Sequence, residues 1–456
     1  MIFLKRKRLI FWLLRAYLRK WGKLIVIFFV VGIVLAILLY LNRNFILSKI
    51  PITDTTSIGI AGTYFKQDLP GNLPDIIQDK ASRGLTKISP KGEVLPDLAK
   101  SWEIKDDGKT FIFYLLPNIY FADGKKLDSA SINYNFEDVS IERPTKEIIV
   151  FKLKDKYSPF LVTLANHKVF KKNYVGISDY KISKLKSNGG FIDFIEFFSE
   201  KDKKIIKYDF YDTQMALKNA FVLGEVSEIT EINNLDYKKG HNLTDFKNVK
   251  ITQNLNNDKI VTVFLNNSDP FLSDKKIRKA LGYSLPNEFG GGKRVYTPYL
   301  PDSWANNKGE AYTQDLENAR EQLDSSDASK AGKIEIELKT LPQYENLAKE
   351  IAIAWEKINL KTKIEVTDTI PISYQAFLGE MPILKDPDQY TFWHTGQQNN
   401  ITRYKNLRID KLLEDGRRTN NLAERKKIYL DFQKYLIDDM PAAFLFIPYT
   451  YTITRK

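Results

Sequence analysis

The apolar positions change period along the chain, and each change marks an element. Residues 24–41 (LIVIFFVVGIVLAILLYL) form an apolar run of 18 residues without a charge. As a helix rising 1.5 Å per residue it spans about 27 Å, near the thickness of a bilayer's hydrocarbon core. Beyond a tether at 42–56, β patterning predicts a first strand at 57–61 (SIGIA), an aromatic-rich one at 109–116, and a hairpin from 191–198 and 204–210. The second half mixes both periods. Ile334, Ile336 and Leu338 alternate in one strand, Leu347, Ile351, Trp355 and Ile358 share one helical stripe, and 361–366 is again strand-like. That order predicts a βαβ unit with neighbouring parallel strands and a right-handed crossover. Ser273 and Asp274 predict the start of a helix whose Ile277, Ala280, Leu281 and Leu285 face inward. Asn421 predicts the cap of a long helix carrying Ile428, Phe432, Tyr435 and Leu436, which Pro441 ends. The apolar run 442–454 reads as a strand.

Charge sharpens the picture at the N-terminus. The 456 residues carry a net charge of +13, which by itself suggests a polyanionic partner. Its distribution removes that reading. Residues 1–50 hold ten basic residues and no acid, leaving 59 basic against 56 acidic residues elsewhere, a net +3. The body is close to neutral, so a nucleic-acid footprint is not expected. Eight of the basic residues precede the apolar run, which predicts 1–23 in the cytoplasm and 42–456 outside a single-pass membrane anchor. The run is longer than a signal-peptide core, and 42–45 (NRNF) lacks a small-residue cleavage pattern, so the anchor is expected to stay uncleaved. The basic flank 1–20 reads as a topology signal, with an amphipathic helix on the inner leaflet as the other reading.

Catalytic and metal chemistry finds little support. There is no cysteine, which excludes disulfides, thiolate metal sites and a thiol nucleophile. His167, His241 and His394 stand far apart, with no HExxH or His-x-His spacing. There is no GxGxxG or Walker A sequence, and 290–293 (GGGK) reads as a flexible turn. Neither an enzymatic activity nor a cofactor is expected.

Four ordered blocks carry a resemblance. Residues 92–102 (GEVLPDLAKSW), 107–111 (DGKTF) and 121–124 (FADG) form the first, and Leu265, Asn266, 271–274 (FLSD) and 277–280 (IRKA) the second. The third runs from 386–394 (DPDQYTFWH) through Asn399, Asn400, Tyr404, 410–414 (DKLLE) and Arg425, and the fourth is 441–446 (PAAFLF). Together they resemble the family 5 extracellular solute-binding proteins of ABC importers, the peptide-binding group. The resemblance implies a mixed α/β, two-lobed periplasmic-binding-protein-like fold (type II) with an extra inserted domain, here preceded by one transmembrane helix. On that reading 57–262 and 433–456 form the first lobe, with the insertion near 71–174, and 263–432 the second. The apolar strands 261–265 and 442–446 are the expected crossings between lobes.

The implied function is that of a membrane-anchored, monomeric receptor that captures a peptide or similar small solute and hands it to ABC permease subunits. The other reading is an anchored sensor or interaction protein that keeps the fold without transport. Within the matched motifs, aromatic area and polar groups suited to an extended peptide point to Tyr64, Phe65, Asn266, Trp393 and His394 as ligand-binding residues. Asp388 is added as a receiver of a cationic group, or else it caps the turn after Pro387. Peptide-binding relatives often carry, at the position of Ile383, an aspartate that pairs with the peptide's amino terminus. Its absence implies either a solute without a free amine or substitution by Glu380, because a buried ammonium without a carboxylate is costly.

Overall fold

The computed structural model describes residues 20–23, 27–28, 30–33, 54–69, 71–307, 312–326 and 335–456. Two compact units form, 1–55 with 201–205 and 56–200 with 206–456. In the first, 20–23, 27–28 and 30–33 are helical. The expected cytoplasmic segment 1–23, anchor 24–41 and tether 42–56 lie largely outside the described residues, among which no helix is long and apolar enough to cross a membrane.

The second unit is built on a twelve-stranded mixed sheet. Its organising strand is Ala442–Arg455, 14 residues long. The first half pairs antiparallel with Lys259–Leu265 and Gly292–Arg294, and the second half with Glu228–Ile232 and Val249–Leu255. The strand thereby belongs to two sets of neighbours.

Burial on both faces explains why its first half and Lys259–Leu265 read as continuous apolar runs. Val261, Val263 and Leu265 enter one core with Trp355, Ile351 and Leu281, while Ile260 and Phe264 enter another with Phe377, Trp393 and Phe432. Ala443 and Leu445 join the first core, Ala442 and Phe444 the second. The alternation breaks at Phe446, which joins the first core directly after Leu445, where the register against Val261 and Thr262 shifts.

The expected βαβ unit is present. Glu335–Thr340 and Lys361–Val366 pair in parallel, with Leu338 opposite Ile364. Between them Glu345–Glu356 buries Ala348, Ile351, Ala354 and Trp355. The Asp274 side chain accepts from the Lys276 amide at the start of helix Lys275–Tyr283. Asn421 caps Leu422–Asp439, which ends at a left-handed Met440 before Pro441. The hairpin forms from Phe191–Ser199 and Lys204–Tyr211. On the edge strand Tyr180–Asn188, Lys181, Lys184 and Lys186 pair with Glu200, Glu196 and Asp193, a charged rim that discourages edge-to-edge association.

A separate four-stranded antiparallel sheet, Ala99–Lys105, Thr110–Leu115, Ile148–Leu153 and Val139–Thr145, has its own core. Phe111, Phe113, Phe151 and Phe160 meet there, with ring centroids 5.1–5.7 Å apart in adjacent pairs.

Trp355 is fully buried and donates its indole N–H to the Leu281 carbonyl at 3.2 Å. Trp355→Ala is therefore expected to cost about 3–5 kcal/mol, against less than about 0.5 kcal/mol for the exposed neighbour Ile353→Ala. Urea unfolding of both variants checks the contrast.

Candidate functional site

Where the turn 256–258 joins Val249–Leu255 to Lys259–Leu265, the two sets of neighbours of the terminal strand meet and a cleft opens. It consists of two adjoining cavities of about 300 and 880 Å³ that share Asn166, Lys168 and Lys385. The smaller is walled by Ile88, Leu300, Ile383 and Leu384, with Asp258 at the turn. The larger is walled by Asp75 and Gln78 of helix Asp75–Ala81, by Asn133 and Asn135, and by the segment 166–174. Contacts cross the cleft. Lys385 pairs with Asp75, and Trp304 donates its amide to the Lys91 carbonyl at 3.0 Å and its indole N–H to that of Gly92 at 3.1 Å.

The walls are tightly specified in places. Asn173 and Tyr174 adopt consecutive left-handed conformations, φ 63° and 57°, which cost energy in a non-glycine residue and most of all in a bulky one. The Lys171 amide, donating to the Val175 carbonyl at 2.9 Å, closes that turn. Lys168 is held by Asp79 at 2.6 Å, and Lys171 by Asp123 at 3.1 Å. Glu380 accepts from Lys259 Nζ at 2.9 Å and from the Tyr344 hydroxyl at 2.5 Å. Burial, and then Glu380 itself, push the Tyr344 phenol well above its usual range.

Of the residues singled out from sequence, Asp388, Trp393 and His394 come together on one segment. Its base is a buried bidentate ion pair, with Arg425 Nη1 and Nη2 donating to Asp386 Oδ2 and Oδ1 at 2.8 and 2.5 Å. Arg425 Nε donates to the Gly416 carbonyl, tying in the helix Leu407–Arg418. Asp386 Oδ1 also accepts from the Asp388 amide. Asp388 is 6% exposed, takes Arg417 Nε on Oδ2 at 2.8 Å, and caps the turn through the Tyr390 amide on Oδ1 at 3.1 Å. Trp393 is 1% exposed, sits in the core 6.0 Å from the Phe444 ring, and borders a small apolar pocket of about 110 Å³. His394 stacks on Tyr390 at 4.2 Å, and its Nε2 lies 3.3 Å from Glu414 Oε1.

Asn266, Tyr64 and Phe65 lie apart from that segment in sequence and in contacts. Buried Asn266 donates to the Tyr374 carbonyl at 2.8 Å and accepts from the Ser268 amide. Tyr64 packs on Phe210, and exposed Phe65 on Phe191 at 4.8 Å. None of these six residues lines either cavity of the cleft. The lining residues that sequence reading passed over were Asp75, Lys168, Lys172 and the asparagines. Their one sequence signal is the polar, lysine-rich 166–174 (NHKVFKKNY) inside an aromatic-rich region. Among the described residues no group of His, Asp or Glu is arranged to hold a metal ion.

The segment yields two expectations. Arg425→Ala strands the buried Asp386 carboxylate and is expected to cost about 3–5 kcal/mol in urea unfolding. Burial raises the Asp388 carboxyl more than Arg417 lowers it. A carboxyl raised on folding contributes stability that is present below its unfolded pKa of about 4 and is lost as pH rises through the raised value. Asp388→Asn is expected to remove that downward slope, which denaturant melts at a series of pH values would detect.

Comparison with known proteins agrees with this architecture. The model of the bacterial extracellular solute-binding proteins, family 5 Middle, matches residues 93–400. A probable D,D-dipeptide-binding periplasmic protein of Escherichia coli is 21% identical over 417 residues, covering 78% of this chain and 79% of its own. Two solved structures share the fold. The ABC transporter substrate-binding protein CtaP of Listeria monocytogenes has a TM-score of 0.73 at 19% identity, covering 88% of this chain and 94% of its own. The NikZ protein of Campylobacter jejuni in complex with Ni(L-His) has a TM-score of 0.68 at 23% identity, covering 89% and 94%. The fold is thus the mixed α/β periplasmic-binding-protein fold expected from the resemblance. The matched family is one of solute binding rather than catalysis: this chain belongs to the bacterial extracellular solute-binding proteins of family 5, and is an extracytoplasmic solute-binding protein.

Proposed function

We propose that this protein is the receptor of an ABC importer, held at the outer face of the membrane by 24–41, and that it takes a peptide or similar small solute into the cleft for delivery to the permease. The observation that carries this reading is the pair of adjoining cavities, the smaller beside the 256–258 turn, joined at Lys385, which pairs with Asp75 of the larger. A cavity of several hundred cubic ångströms is the size range of small-molecule sites. The D,D-dipeptide named for one relative and the Ni(L-His) of another support a small, amide- or carboxylate-bearing solute.

In this reading the lobes change over at 256–258 and at Pro448, not at 262 and 432, because the strand partners of Ala442–Arg455 change there. Lobe closure is then a bend of two adjacent strand connections, a hinge of the usual kind. The insertion is the unit around the four-stranded sheet, and it forms one wall of the cleft through 166–174. In this reading Asn266, Asp388, Trp393 and His394 hold the frame behind the cleft, and Tyr64 and Phe65, which line neither cavity, support it from the first strand's loop.

Thermal unfolding of the purified chain against peptides, blocked peptides, sugars and metal chelates tests this. A ligand at about 100 times its dissociation constant adds about 2.7 kcal/mol, so a peptide-like solute is expected to raise the melting temperature. A blank across the panel, with no permease recovered in pull-downs, would overturn the receptor reading.

A further inference from the structure

The charge lining the cleft is one-sided. Lys87, Lys91, Lys168, Lys171, Lys172 and Lys385 line the two cavities, against Asp75, Asp79 and Asp258. That excess of three equals the net charge of the whole body from 51 to 456, so the cleft concentrates a charge that the rest of the surface lacks. A concave, low-dielectric wall focuses such a field.

The ion pairs reduce this excess to two, because Lys171 is answered by Asp123 outside the cavities. Asp75 is engaged by Lys385, Asp79 by Lys168, and Lys171 reaches outward to Asp123. Lys87, Lys91 and Lys172 have no carboxylate partner among the described residues. On the opposite wall Glu380 is already held by Lys259 and Tyr344, and it lines neither cavity. Ile383 presents an apolar side chain there, packed against the core of Phe377 and Trp393, with its amide on the Asp258 carbonyl at 2.8 Å. Of the three carboxylates lining the cavities, Asp258 is the one without an ion-pair partner among the described residues. Asp258 is thus the one lining carboxylate left for an ammonium, and it stands exposed at the turn, so an ammonium enclosed at Ile383 would lose its hydration with no enclosed charged partner. Asn133, Asn135, Asn166 and Asn173 offer amides to neutral polar groups along the larger cavity.

We infer that the cleft selects an anionic solute without an ammonium group, such as an N-acylated short peptide ending in free carboxylates. The inference rests on the receptor reading and narrows its substrate class. The lysines supply the long-range attraction, the asparagines bind amide or hydroxyl groups, and Ile383 and Leu300 cover the blocked, uncharged end.

Isothermal titration of the purified full-length protein tests this with four probes: N-acetyl-alanyl-glutamate, alanyl-glutamate, alanyl-lysine amide and glucose 6-phosphate. The acetylated dipeptide is expected to bind at least about tenfold more tightly than the cationic amide, and more weakly as added salt shortens the screening length from about 10 Å toward 3 Å. Lys87→Glu with Lys172→Glu, both at exposed positions, is expected to weaken that binding about tenfold with no change in melting temperature. Ile383→Asp is expected to shift preference toward the free-amine dipeptide. Tightest binding of glucose 6-phosphate would support the anionic class and name phosphate as the source of the charge. Equal or tighter binding of alanyl-lysine amide, or salt-independent binding, would overturn the inference while leaving the receptor reading intact. Silence from all four probes would also overturn it, and the receptor reading would then be decided by the wider thermal panel.

Discussion

The pairing of Ala442–Arg455 with strands on both of its halves is the constraint on which the rest of the architecture depends. Its first half completes a region of the sheet buried on both faces, and its second half completes the region beside Glu228–Ile232. A backbone in one strand cannot turn sharply without losing ladder hydrogen bonds, so the two regions stay linked while the turn 256–258 and the stretch around Pro448 take up any bend. Proline at that point donates no amide, which makes it a tolerable interruption of the ladder. The cleft opens at this junction because the neighbours of the strand diverge there.

A second constraint sits behind the cleft wall. The Asp386–Arg425 pair, with both groups buried, fixes the segment 386–394 to the helices that carry Gly416 and Arg425. A buried pair of this kind returns little net stability against its desolvation, but it holds one geometry, because every competing arrangement leaves a charge unpaired. Asp388 and Arg417 repeat the device one step nearer the surface, and Arg417 lies over the Tyr390 ring at 4.1 Å. The loop leading in, with Ile383 and Lys385, is therefore presented to the cleft from a rigid base.

Much of the second half was legible in the sequence because its elements are local. Asp274 and Asn421 cap helices that begin at the next residue, and the stripe of Ile351 and Trp355 faces the core that its period implies. The first half was harder to read. The edge strand Tyr180–Asn188 carries lysines at 181, 184 and 186, so it looks like a solvated loop until the cross-strand ion pairs are seen. The site shows the same division. Trp393 and Asp388 stand out as chemistry-bearing side chains in a recognisable motif, yet the fold turns Trp393 into the core and meets Asp388 with Arg417.

The family, the fold class, the βαβ unit, the helix caps and the near-neutral body were readable from residue order, because each rests on spacing, residue type or block order along one chain. Tertiary structure decided which residues line the cleft. Asp75 and Lys385 are separated by 310 positions yet form a pair, and Gly92 meets Trp304 across 212. Whether a lysine faces a partner, open water or a cavity depends on which distant wall arrives opposite it. Local pattern carries no record of that, because the free energy that brings the walls together comes from cores elsewhere in the chain.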